Sequence, residues 1–199
     1  MASTNRRDVH IEVYPDARQL QRVLKGLAKV KNGAPRAVAA ALNKTARGAI
    51  TDIARTLAAE YTAKQKDIRR VLAVGRKASP SSLSASVKGT YRSIPLMDFR
   101  VRPRIVTKRR PRIGVTAEVK RGERKVIPYS FIAAIRGKPQ VAMRVHSKKR
   151  VPIRPLFGPA VTHMMDTPEM SARLHAMAAA RLVKNLDHEV ERIQKGFGK

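Results

Sequence analysis

Cysteine and tryptophan are absent from this 199-residue chain, and acidic and aromatic residues are scarce. Without cysteine there is no disulfide, no thiolate zinc site and no cysteine nucleophile, and the redox compartment is left open. Aromatics make up only 4% of the residues, so the core must be built from Ala, Val, Leu, Ile and Met, and the 43% apolar content is ample for that. Long hydrophobic runs are also missing. The longest stretch of small apolar residues, Ala37 to Leu42, falls far short of the ~18 residues of a membrane span. Met1 to His10 has no apolar stretch of the secretory kind, so a soluble protein with no membrane association is expected. No Walker lysine loop, dinucleotide glycine fingerprint, nucleophile elbow or zincin helix occurs. The histidines are scattered; His163 with Asp166, or His188 with Glu191, shares a helical face, and neither pair makes a three-ligand metal site. The expectation is a protein that is not an enzyme and carries neither cofactor nor metal.

What the chain has in excess is positive charge. Lys and Arg number 43 against 14 Asp and Glu, a formal net charge of +29. Such a chain repels itself and seeks anions. Residues 100–154 hold 18 of the cations against Glu118 and Glu123 alone. The candidate contacts to an anionic partner are Arg100, Arg102, Arg104, Lys108, Arg109, Arg110, Arg112, Lys120, Arg121, Arg124, Lys125, Lys148, Lys149 and Arg150. This concentration is the footprint expected of phosphate-backbone contact. A basic surface facing acidic protein neighbours explains it equally. Base-specific readout is disfavoured, because no helix-turn-helix, zinc-finger or basic-zipper pattern is present, and a magnesium nuclease would need acidic residues that this half lacks.

Periodicity places the elements. Val9, Ile11 and Val13 alternate as a first strand stopped by Pro15-Asp16. Leu20, Val23, Leu24, Leu27 and Val30 predict a helix over Ala17 to Val30, ended by Asn32-Gly33. A long helix is predicted from Arg36 to Glu60, and Thr62 to Gln65 has the spacing of a capping box opening a third helix to about Val74. Eight of the twelve prolines lie between Pro95 and Pro159, which makes that region strands and loops. Strands are predicted along Leu83 to Tyr91, Ile113 to Val119, Lys125 to Ile127 and Val141 to Val145, with a hairpin turn at Lys120 to Glu123; dense like charge should leave the hairpin around Lys120 to Lys125, or the Arg100 to Arg112 loop, mobile in the free protein until a neighbour orders it. Tyr129 and Phe131 read as core rather than as a base-stacking platform. Residues 167–196 form the second long helix, where Asp187 and Glu191 pair with lysines while Glu189 turns away. The sum is a single α+β domain over 1–199: two long and some shorter helices on an antiparallel or mixed sheet, with a basic loop and hairpin region at 100–154.

Several stretches, taken in order, resemble the prophage minor tail protein Z family. Ala41-Leu42-Asn43-Lys44-Thr45-Ala46 is similar to its long-helix signature, and Lys66-Asp67-Ile68-Arg69-Arg70 to the segment that follows. Ile94-Pro95-Leu96 through Phe99, then Phe131-Ile132-Ala133, then Pro152 through Pro159 resemble the remaining landmarks, over roughly residues 8–195. The basic Arg100 to Arg112 segment and Pro155 depart from the pattern. The resemblance implies a structural virion protein that completes the tail or neck at the head-tail junction as a subunit of a closed, six-fold homo-oligomeric ring. Its partners would be other tail, connector or neck proteins, with non-specific contact to packaged DNA. Its location would be the virion, after assembly in the host cytoplasm. The alternative is a non-catalytic, basic nucleic-acid-binding protein.

Overall fold

Ile11 and Val13 are buried while Glu12 and Tyr14 between and beside them are exposed, the alternation of a strand with one wet face. They form β1 (His10–Val13), followed by α1 (Ala17–Gly26), the long α2 (Gly33–Glu60), the short α3 (Gln65–Arg70), β2 (Leu72–Val74) and β3 (Ala85–Gly89). Next come β4 (Ser93–Pro95), a 3-10 turn at Leu96–Asp98, β5 (Arg100–Arg102), β6 (Val115–Glu118) and β7 (Arg124–Ile127). The chain continues through β8 (Ser130–Ile135), β9 (Lys138–Arg144), β10 (Ile153–Pro155), β11 (Phe157–Ala160), the short α4 (Val161–Met165) and the long α5 (Pro168–Gln194). This computed structural model describes residues 10–28, 30, 33–106, 114–145 and 151–196. The class is α+β as expected, and the strand pairings are antiparallel. No helix among the described residues is long and apolar enough to cross a membrane. Contacts divide the chain into two units, Met1–Ile53 with Val71–Thr90 and Met165–Lys199, and Ala54–Arg70 with Tyr91–Met164.

In the first unit β3 lies between β1 and β2, and α5 runs antiparallel to α2. Asp52 accepts two bonds from Arg181, at 2.6 and 2.8 Å; Thr45 accepts from Asn185 at 2.8 Å; and Lys44 meets His188 at 3.4 Å. Between these contacts the seam is apolar, with Leu42, Ala46, Ile53, Leu174 and Leu182 at most 2% exposed. Gly48 marks where Arg181 crosses α2, since a Cβ there would stand 2.6 Å from the guanidinium Nη1. Asn43 clamps the chain after β2, its amide donating to the Ala78 carbonyl and accepting from the Ala78 N–H, both at 2.9 Å.

The second unit holds three small sheets, ordered β5-β6-β7, β10-β9-β8 and β11-β4. Phe99 is fully buried beneath Gly158, where a Cβ would come within 2.4 Å of the ring. Leu156 ties two sheets together: its carbonyl accepts from Leu96 N at 3.0 Å and its N–H donates to Val141 O at 2.8 Å. Pro155 sits in β10, an edge strand, which is where a residue without an N–H is tolerated. Arg136 and Gly137, with φ of 52 and 74°, make the two-residue turn between β8 and β9.

Four expectations are corrected. α1 stops at Gly26, leaving Leu24 and Val30 56% and 41% exposed, and its start is a capping box of Asp16 and Gln19. The end expected at Asn32 lies outside the described residues, and Gly33 already begins α2. α3 ends at Arg70 because Leu72 to Val74 pair with Gly89 to Val87 of β3 instead of extending the helix. Thr62 is not a cap; its hydroxyl accepts from Arg100 N at 3.0 Å and donates to the Glu118 carbonyl. On α5, Asp187 pairs with Arg22 of α1 rather than with a lysine, whereas Glu191 meets Lys195 and Glu189 is turned away and buried against Arg192 as expected.

Leu42→Ala should destabilise the protein by about 2–5 kcal/mol through the cavity it leaves, and Asp52→Ala, whose partner Arg181 is partly exposed, by only about 1 kcal/mol. Denaturant unfolding of both variants checks this, and a larger loss for Asp52→Ala would mean that the ion pair outweighs the apolar seam.

Candidate interaction surface

An α-helix leaves its last carbonyls without intrahelical partners and its C-terminus partially negative. The last turn of α2 contains no basic residue to answer this. The turn between β6 and β7 supplies the answer. Arg121 donates to the Ala58 carbonyl from Nε at 3.2 Å and Nη2 at 2.8 Å, and its backbone N–H donates to Glu60 O at 2.9 Å. Lys120 pairs with the Glu60 carboxylate at 3.1 Å, which holds its ammonium above the usual lysine range. Thr62 N donates to Val119 O at 2.9 Å. Burial first, and then the Glu60 charge, raise the Tyr61 phenol. The expectation of a mobile Lys120 to Lys125 hairpin gains no support from such anchoring.

The sheet register then builds a charge cluster. Glu118 stands opposite Arg100 of β5 and Arg124 of β7, so one carboxylate lies between two guanidiniums, at 3.2 and 2.8 Å. Gly122 N donates to the same carboxylate at 3.3 Å. The hydrogen bond from Arg124, followed by that from Gly122 and the charges of both arginines, holds Glu118 below the usual carboxylate range against the opposing effect of its burial. Gly114, which leads into β6 with φ of 99°, would drive a Cβ to 2.2 Å from Ile127 O, so only glycine fits there. Ser130 joins β7 to β8, accepting from Val115 N at 2.9 Å and donating to Ile127 O at 2.6 Å.

Of the basic candidates, Arg100, Lys120, Arg121 and Arg124 are therefore engaged within the chain. Lys125 meets Glu123 at 3.6 Å with its side chain 79% exposed, Arg104 reaches Met97 O at 3.4 Å, and Arg102 is exposed with no ion pair among the described residues. Lys108, Arg109, Arg110, Arg112, Lys148, Lys149 and Arg150 lie outside the described residues. Tyr129 is 75% exposed at φ of 60°, which corrects its reading as core: the tight link from β7 to β8 turns it outward. Phe131 is half-buried under the Arg144 guanidinium. His163 bonds Tyr91 at 2.7 Å, and no three His, Asp or Glu side chains gather into a metal-sized group among the described residues. Thr62 and Ser130 were not foreseen as organisers of this surface; Thr62 bonds partners 38 to 57 residues away and Ser130 reaches Val115 across 15 residues, and no local pattern marks such contacts.

Two carboxylates of this unit respond to pH with opposite sign. Glu118 has a depressed folded-state pKa, so its contribution is present above the ordinary value of 4.5 and is lost as pH falls through the lower folded value. Asp98 is raised, by burial first and then by the Asp67 charge, so its ionisation costs stability at neutral pH and acid relieves that cost. Glu118→Gln should lower the melting temperature at pH 7 and flatten the acid limb of the profile, whereas Asp98→Asn should raise it at pH 7 and leave it unchanged in acid. Melting temperatures from pH 3 to 8 check both signs.

The family signature Ala41 to Ala46 is the place where α2 meets α5 and the chain around Ala78, and the landmarks at 94–99 and 152–159 meet one another where β4 pairs with β11. Each is a packing junction. No curated protein and no solved structure matches the chain significantly. A family model described as prophage minor tail protein Z (GPZ) matches residues 18–195. That span takes in every junction just described, and the chain belongs to the prophage minor tail protein Z family, structural proteins of phage tails.

Proposed function

We propose that the chain is the repeating subunit of a closed ring, six-fold to match a tail tube, that completes the tail at the head-tail junction. Heterologous contacts that close generate rings. The observation that carries this reading is the family membership, joined to a net charge of +29 that favours association with acidic neighbours. Residues 1–199 would act as one domain, assembled in the host cytoplasm and retained in the virion, with a mechanical rather than catalytic role. The partners would be further copies of the chain and acidic tail, connector or neck proteins. Packaged DNA would be a lesser contact, because a ring through which DNA must slide gains nothing from gripping it. The internal pairing of Arg100, Lys120, Arg121 and Arg124 supports that order, since cations held by Glu118 and the end of α2 are less available to phosphate. The alternative, a non-catalytic nucleic-acid-binding protein, draws on the same basic segment.

Electron cryo-microscopy of purified virions should find this chain at the junction in six-fold symmetry; a monomer or a two-fold dimer there would overturn the ring. Replacing Arg109, Arg110 and Arg112 together by Ser should impair tail completion, scored by electron microscopy, more than duplex affinity, scored across a salt series. Normal assembly with a salt slope reduced by several times ~0.9 would promote the nucleic-acid reading instead.

A further inference from the structure

β7 is the end strand of the β5-β6-β7 sheet, and no strand among the described residues pairs with its outer edge. Arg124, Lys125 and Val126 along it are exposed, Val126 to 47%. A strand with an unpaired outer edge is a template for another strand. This edge is also held in place, by the Glu118 register on one side and by the grip of Lys120 and Arg121 on the end of α2. Rigid edges lose little conformational freedom when they bind.

Charge selects the occupant. The register puts Arg100, Arg102, Arg124 and Val126 on one face of the sheet, opposite Glu118 and Thr116. That face thus carries three arginines and one carboxylate, which pairs with Arg100 and Arg124 and leaves Arg102 without an ion pair among the described residues, while Lys125 projects from the other with its side chain 79% exposed. A second copy of this edge would set Arg124 and Lys125 against their own kind, and like charges across a strand pair are destabilising. Lysine on an edge is a common guard against such self-pairing. An extended segment carrying Asp or Glu would add its backbone to β7 and its carboxylates to the arginine face. We propose that the outer edge of β7 receives a strand from an acidic, extended segment of a different virion protein. This rests on the reading of the chain as a tail component.

The test uses the full chain in purified virions. A benzophenone amino acid at position 126 should cross-link to an acidic segment of another virion protein, and amides 124–127 should exchange at least about tenfold more slowly in the particle than in the free chain. Lys125→Glu should lower incorporation into particles about tenfold with an unchanged melting temperature, and Lys138→Glu, on the exposed start of β9, should leave incorporation unaltered. Cross-links to further copies of this chain or to DNA would overturn the proposal. So would equally fast exchange in both states with the chain present in the particle, which leaves the tail reading standing. Absence of the chain from complete virions would remove both.

Discussion

The carbonyls of Ala58 and Glu60 end a long helix that brings no cation of its own to its last turn, and satisfying them organises much of the second unit. Arg121 reaches them through side chain and backbone, and Lys120 takes the Glu60 carboxylate. The turn is fastened there, and the registers of β6 with β7 and with β5 set Glu118 between Arg100 and Arg124. Thr62, just past the helix, closes the arrangement by bonding across to both β5 and β6. Basic residues that look from composition like an outward patch are thus in part the C-terminal cap of a helix. The physical reason is the same one that makes cations favourable at any helix C-terminus.

Among the described residues, Arg102, Lys125 and Val126 stay exposed on the two edge strands of the β5-β6-β7 sheet, and the Arg144 guanidinium lies over the Phe131 ring. Edges and flat faces are surfaces on which other proteins dock. That agrees with a family whose landmarks are all packing phrases: Asn43 on Ala78, Thr45 under Asn185, Gly158 against Phe99, Leu156 between two sheets. A tail subunit acts by holding its shape among neighbours, and its characteristic residues are those that hold shape.

Local pattern determined a good deal. The 3.6-residue stripe and the lack of internal proline determined α2 and α5 to within a few residues; alternation determined β1, β3, β6 and the hairpin into β7; composition alone determined the basic character and the absence of thiol chemistry. The short strands β4, β5, β10 and β11 were illegible, because three or four residues rich in Pro and Arg carry no period and become strands only when a partner's backbone is present. Leu72 to Val74 read as helix until β3 offered them a ladder, and Thr62 read as a cap until Arg100 and Glu118 claimed its hydroxyl. Charge could be counted in advance, but which cations stay free could not. Pairing is decided by register and by where a distant helix ends, and both are properties of the folded chain.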